Sequence, residues 1–332
     1  PKPGLEEKVK AVYECINTFH YYGITGISDI SQPDDIEVFK KLYERGKLKL
    51  RINSYLPFNE FNNLQKHNES IKDIDYDFLR IKGFKEYYDG ALGSETALFK
   101  ENYTGKSYNG YKTKIAESGK LYELAKEIDK EGRQIIIHAI GDKAVSDVLD
   151  ICEMLTRENG IGDRRMRIEH AQHIDEADFE RFKKLGVIAS VQPIHLKYDE
   201  KKVKEKLSSI IIKRTHNYKH LLNRGVTVNF GTDFPIAEIN PYENIQLAVT
   251  RKVSDEIFFP ENRINLHNCV EAYTINNAYA GFNEDKRGTI EKGKLADFLL
   301  MEDNIFEITE DEIKNSKVWK TYLNGEEIYC SE

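Results

Sequence analysis

Two histidines and an aspartate end three short β-type runs: His138 in RQIIIHAI (133–140), His170 in RMRIEHAQ (165–172) and Asp233 in VTVNFGTD (226–233). Neutral imidazole and carboxylate are ligands for zinc-type metals, and catalytic zinc sites keep one position open for water. The two histidines lie 32 residues apart, a length that fits one strand–helix–strand unit. Parallel strands of a (β/α) barrel would therefore carry all three residues to the C-terminal rim, where barrel enzymes do their chemistry. A single strand histidine is more often a satisfied core residue; three candidates at strand ends favour a metal site. Lys85 ends a further run, LRIKGFKEYY (79–88). A lysine buried beside a metal is costly as a cation. Carboxylation of its amine by carbon dioxide would make it an anion able to bridge two metals. On the residues alone, Lys82 is equally near and a solvent-facing lysine is the default.

The elements that must position these residues follow from periodicity. Residues 5–22 and 34–46 read as helices, with strands at 24–30, 47–56 and 79–88. The stretch 89–111, rich in Gly, Ser, Thr and Tyr, reads as a long loop, and loops of that length are usually functional or disordered. Helices at 117–131, 142–157 and 175–185 and a charged helical region at about 199–224 then alternate with strands at 133–140, 165–172, 186–193 and 226–233. This alternation implies a parallel sheet covered on both faces. Seven strands fall between 24 and 233, one short of the closed eight-stranded barrel. A helix over 265–280 precedes short strands in 287–304 and 318–330, the last pair joined by a hairpin through Asn324-Gly325. The expected organisation is an α/β barrel domain over 1–284 and a small β appendage over 285–332.

Composition narrows the class. The chain has 332 residues, 32% charged and 40% hydrophobic, with a net charge of −7, as expected of a folded globular chain. There is no basic stripe, so nucleic acid is excluded as an expected partner. No apolar run approaches the length of a membrane span. Four dispersed cysteines, Cys15, Cys152, Cys269 and Cys330, form no CxxC pair, which argues against a zinc ribbon or disulfide framework. With no signal peptide at the start, the expected location is cytoplasmic. The sequence begins with Pro1 rather than Met, which weakens that inference.

The segments KEYYDGALGSETALF, IIIHAIGDKAV, RIEHAQHI, IASVQPIH, FGTDFP and GTIEKGKLADFLLM resemble the amidohydrolase superfamily. More narrowly they resemble its YtcJ-like branch, which includes the N-substituted formamide deformylases. The resemblance runs from about residue 21 to 330, with the motifs in the family's order. It implies a distorted TIM barrel with a β-sandwich built from both chain ends, and a mono- or binuclear metal centre, usually zinc. It assigns the carboxylated, bridging lysine to Lys85 rather than Lys82. It makes His138 and His170 the fifth- and sixth-strand ligands. Asp233 becomes the eighth-strand residue that both contacts the metal and shuttles the proton. His195, just past the seventh strand, becomes a contact that polarises the scissile carbonyl. The sequence departs from the pattern in one respect: it contains no His-x-His, the pair that ends the family's first strand. The expectation is a fragment of a longer enzyme; a strand supplied by another chain and a variant that no longer binds metal are the alternatives. Metal binding by this chain alone is then expected to be weak or partial.

The activity these readings imply is metal-dependent hydrolysis of a non-peptide carbon–nitrogen bond, of amide or N-formyl type, in a small molecule. A metal-bound hydroxide would attack, Asp233 would relay the proton, and His195 would help stabilise the oxyanion. Hydrolytic deamination of a heterocycle is one alternative, and a catalytically inactive scaffold or binding protein is another. The expected partners are the small-molecule substrate and, as an option, a second copy of the chain. Asp89 is a candidate substrate contact or simply part of an Asp-Gly turn, and Arg251 is a candidate contact for an anionic part of the substrate. Asp142 is expected to cap helix 142–157. Glu169 is expected on the face of its strand opposite His170, and His173 at the surface. His20, His67, His216, His220 and His267 join no constellation.

Overall fold

The computed structural model describes residues 3–332. The chain divides into two compact units, one formed by Pro1–Phe84, Gly281–Ile308 and Ser316–Glu332, the other by Lys85–Ala280 and Thr309–Asn315. Strand β3 (Leu79–Tyr87) crosses the boundary.

In the first unit, helix Leu5–Tyr21 buries Val9, Ile16 and Phe19, spaced to lie on one face. The chain then turns at Gly23, where φ is +78° and an added Cβ would lie 2.5 Å from Leu299 Cδ2. Strands β1 (Gly26–Ile30) and β2 (Arg51–Pro57) pair in parallel, Gly26 opposite Arg51. β2 is buried almost throughout, whereas β1 alternates between exposed and half-buried. Strands β10 (Phe298–Met301), β11 (Val318–Leu323) and β12 (Glu326–Cys330) form an antiparallel sheet. The β11–β12 turn is the expected hairpin: Asn324 and Gly325 have φ of +52° and +76°, the left-handed pair of a type I′ turn.

In the second unit, β4 (Gln134–Ala139), β5 (Arg167–His170), β6 (Ile188–Val191) and β7 (Val228–Phe230) are parallel neighbours in chain order. The strand order is β1-β2-β3-β4-β5-β6-β7, the sequential parallel arrangement of a TIM-type barrel. Helices Lys120–Lys130, Asp142–Asn159 and Phe179–Leu185 fall where expected. The charged region after β6 is helical, as expected. It forms three helices, His195–Lys206, Ser209–Ile212 and Tyr218–Asn223. A further helix, Pro241–Thr250, has Asn240 as a side-chain cap and Pro at its start. It is followed by a short hairpin of β8 (Lys252–Val253) and β9 (Glu256–Ile257). Among the described residues no helix is long and apolar enough to cross a membrane.

The long loop after β3 is ordered by close backbone contact. A Cβ on Gly110 would lie 1.9 Å from the Ala97 carbonyl oxygen, and one on Gly141 would lie 2.0 Å from that of Leu98. Leu92, Ala97, Phe99 and Tyr103 of this loop join Ile140, Leu196, Val203 and Phe258 in one apolar cluster. The helix that begins at His195 is thereby anchored on its apolar side.

Candidate metal centre

Lys85, Asp89, His138, His170, His195 and Asp233 sit near the C-terminal ends of strands or just beyond them, whereas Arg251 caps the helix Pro241–Thr250, and the backbone at the strand ends is unusual. His170, Ala171 and Asp233 have φ of +72°, +42° and +59°. L-residues pay of order 1 kcal/mol or more for the left-handed region. Glu169, in register with His138 and Ser190 on the neighbouring strands, carries a charge that acts on both Lys85 and Asp233. Arg167 holds that carboxylate, donating from Nε to Oε1 at 2.8 Å.

His170, His195 and Asp233 each offer one ligand atom, and these atoms lie within 4.8 Å of one another. His195 Nε2 is 3.9 Å from Asp233 Oδ2. The His195 and His170 rings stack at 5.7 Å. His138 meets His170 edge-on at 4.5 Å between centroids, but its Nε2 is turned to the Gly90 carbonyl oxygen at 3.1 Å. Lys85 is 4% exposed, with Nζ 3.7 Å above the Tyr87 ring.

Burial sets the charge states. It lowers His138 to about 3 and holds His170 and His195 below the usual imidazole range, so all three rings are neutral near pH 7. Neutral imidazole is the form that binds a metal. Burial lowers the Lys85 amine to about 8 against the pull of Glu169 and Asp233. It raises the Asp233 carboxyl to about 6, with Glu169 pushing the same way and Lys85 opposing. Among the described residues, four buried ring nitrogens have no hydrogen-bond partner, His173 Nε2, His216 Nε2 and, in the cluster itself, His170 Nδ1 and His195 Nε2. A buried unsatisfied polar atom costs about 1–3 kcal/mol, and a metal would satisfy the last two. Two imidazoles and a carboxylate are a donor set suited to zinc and its first-row neighbours.

Asp89 is 1% exposed. Its oxygens accept backbone N–H bonds from Leu98 at 2.8 Å, Ile140 at 3.0 Å and Gly141 at 2.9 Å, and Oδ1 lies 3.5 Å from His138 Nε2. It thus ties the long loop to the end of β4 and steadies His138. Asp89→Asn replaces one acceptor oxygen with a donor that faces an N–H. We expect a loss of about 2–4 kcal/mol in urea denaturation, with the isosteric side chain excluding a simple cavity as the cause. Arg251 is also buried. Its Nε donates to Phe258 O at 2.8 Å and its Nη1 to His216 O at 2.7 Å, which leaves Nη2 without a partner.

Two further residues, His173 and Asp142, differ from expectation. His173 is fully buried rather than at the surface, with Nδ1 3.0 Å from Ile140 O and its ring edge-on to Phe99. His216 is buried too, 3.1 Å from the Tyr218 hydroxyl. Asp142 accepts from the Lys100 amide at 2.8 Å and pairs with Arg214, while Gly141 occupies the cap position.

A sequential parallel sheet with ionisable residues gathered at its strand ends is the layout in which TIM-barrel enzymes place their active sites. The chain belongs to the amidohydrolase family, whose model matches residues 1–329. It is 34% identical over 340 residues to LONG AFTER FAR-RED 3 of Arabidopsis thaliana, covering 98% of this chain and 58% of that protein. It is 30% identical to YtcJ of Bacillus subtilis (strain 168), which carries the amidohydrolase name, covering 92% of this chain and 58% of YtcJ. It is 24% identical to the N-substituted formamide deformylase of Arthrobacter pascens, covering 96% of this chain and 60% of that enzyme. A metal-dependent hydrolase from Pyrococcus horikoshii OT3 superposes with a TM-score of 0.81 at 26% identity, covering 93% of this chain and 62% of that one. The chain thus spans about three fifths of the length of these proteins.

Proposed function

We propose that this chain carries the metal-binding and proton-transfer part of a hydrolase that cleaves a non-peptide carbon–nitrogen bond, of amide or N-formyl type, in a small molecule. The observation that carries the reading is the meeting of neutral His170 and His195 with Asp233 within 4.8 Å. The deformylase likeness supports the bond type. A divalent metal held there, zinc by its donor set, supplies a Lewis acid for the carbonyl and a route to a nucleophile from water at neutral pH.

The chain's residues do the rest. Asp233, raised towards neutrality, takes a proton from the attacking water at a carboxylate oxygen and returns it to the departing amine nitrogen. Breaking of the C–N bond then releases a neutral amine. Lys85, buried at the end of β3, is the residue a carbamate would occupy. Its amine nitrogen would bond to carbon dioxide and release one proton.

Hydrolysis of N-formyl and N-acyl amines by the full-length protein tests the reading. Amine release is expected with zinc, manganese or cobalt present. Removal of metal by a chelator should lower turnover by about 10²-fold or more, with recovery on adding metal back. Activity unchanged by chelation would sink the proposal. The compact three-residue cluster, which does not need Lys85, favours a one-metal deaminase as the second reading. Release of ammonia from an amino-substituted heterocycle would select it.

A further inference from the structure

The chemistry at Asp233 leaves one buried cation of the second unit without a task. Arg251 is 4% exposed and His216 1%, and each has a nitrogen with no hydrogen-bond partner, Arg251 Nη2 and His216 Nε2. We propose that these two residues form a subsite for a carboxylate carried by the substrate, so that the amide cleaved is one that bears an acid group. This deepens the hydrolase reading above and rests on it for the rest of the substrate.

The argument begins with charge. Arg251 donates from Nε to Phe258 O at 2.8 Å and from Nη1 to His216 O at 2.7 Å. Both partners are neutral carbonyls, and among the described residues no carboxylate pairs with this guanidinium. Arg51 and Arg167, equally enclosed, each hold one, Asp297 and Glu169. Burial lowers Arg251 to about 10, so it is still a cation at neutral pH. A buried cation with an open N–H and no counter-charge is unfavourable. A ligand carboxylate would provide the acceptor and the charge together, and the guanidinium fork is shaped for that group. The Arg251 charge acts on the His216 ring, so the two open nitrogens share one neighbourhood. Burial keeps that ring neutral, and it adds no second cation.

One side chain joins the subsite to the strand ends. The Tyr218 hydroxyl lies 3.3 Å from His170 O and 3.1 Å from His216 Nδ1. The His216 amide donates to Gln172 O at 2.7 Å, which docks its loop on the segment leaving β5 at His170. Where the hydroxyl donates to Nδ1, the shorter of its two contacts, His216 Nε2 carries the ring hydrogen and is a donor. His216 and Arg251 both have left-handed backbone, with φ of +50° and +56°, a conformation unfavourable for L-residues and found most often where side chains are fixed for function. Arg251 is the residue that ends helix Pro241–Thr250. A left-handed helix end is usually filled by Gly or Asn, so the turn alone does not account for an arginine.

The test sets matched amides against each other on the full-length protein. N-formylphenylalanine is compared with N-formylphenethylamine, and N-phenylsuccinamic acid with N-phenylbutanamide. The carboxylate is on the amine side in the first pair and on the acyl side in the second. Each Kd is measured by calorimetry after metal removal, where nothing turns over, and each kcat/KM with metal present. In one pair the acid is expected to be preferred by about 10-fold or more in Kd and, where it is cleaved, in kcat/KM; that pair identifies the side. Arg251→Gln should reduce the preference to about 3-fold or less. If far-UV circular dichroism shows that Arg251→Gln does not fold, Arg251→Lys, which keeps the charge but not the fork, should reduce the preference by about 3-fold or more. A purely structural arginine would lower the acid and its neutral match alike, and that result overturns the proposal. So does a preference that survives in a folded Arg251 variant, or no preference in either pair, the result expected if internal water fills the subsite. If acids and neutral amides are cleaved and bound alike, this inference falls and the hydrolase reading stands. If an acid is preferred in Kd through Arg251 but no carbon–nitrogen bond is cleaved, the inference stands as a binding site and the hydrolase reading falls.

Discussion

Asp233→Asn in the metal-loaded full-length protein is expected to lower kcat on an amide-type substrate by roughly 10²–10⁴-fold, the usual contribution of a positioned acid–base group. The KM should move far less, because the carboxylate works on the proton in flight rather than on bound substrate. Asparagine is the informative replacement. Asp233 has φ of +59°, a region that Asp and Asn enter more readily than other non-glycine residues. Alanine would add backbone strain to the loss of the carboxylate and confuse the two. Asparagine keeps the turn and one oxygen towards the ion, and removes the proton acceptor. A Co²⁺ titration run in parallel separates lost chemistry from lost metal. If Asp233→Asn binds Co²⁺ like the parent and turns over within about 3-fold of it, Asp233 is not the proton carrier.

Much of this site is legible in one sequence because strand ends are. A β-branched run such as RQIIIHAI declares a buried parallel strand, and the polar residue that breaks it marks the rim. The positions of His138, His170 and Asp233 follow from that. What escapes sequence reading depends on backbone direction and tertiary partners. His170 leaves the strand conformation at the end of β5, and no periodicity reports a positive φ at a histidine. His173 and His216 look like loop residues, but tertiary packing, in which Phe99 meets His173 and Tyr218 meets His216, buries them. The Gly, Ser and Tyr content of the long loop after β3 suggests mobility. Its order comes from three amide bonds to Asp89 and from the fit of Gly110 and Gly141 against its backbone. Helix Pro241–Thr250 had a usable signal in Asn240-Pro241, a cap followed by proline at the first helical position.

The largest expected loss of stability lies away from the metal site, in the first unit. Arg51 and Asp297 form a bidentate pair, Nε to Oδ2 at 2.6 Å and Nη2 to Oδ1 at 2.9 Å, with side chains only 1% and 3% exposed. Arg51 also bonds the Asp77 carbonyl and the Asn324 side chain. Asp297 accepts in addition from the Asn324 amide at 3.0 Å. One ion pair therefore joins β2, the strand entering β10 and the β11–β12 turn. Asp297→Ala leaves a guanidinium buried without its counter-charge, which is expected to cost about 3–5 kcal/mol, a large share of an ordinary domain's stability. The pair itself need not be strongly stabilising, because both ions lose hydration. The double variant Arg51→Met/Asp297→Leu should therefore recover most of the loss. The single tryptophan of the sequence, Trp319, lies on β11 in this unit, so its fluorescence in urea follows the unit that holds the pair. A drop below about 1 kcal/mol for Asp297→Ala, or no recovery in the double variant, would mean that the other bonds to Arg51 hold this junction without the carboxylate.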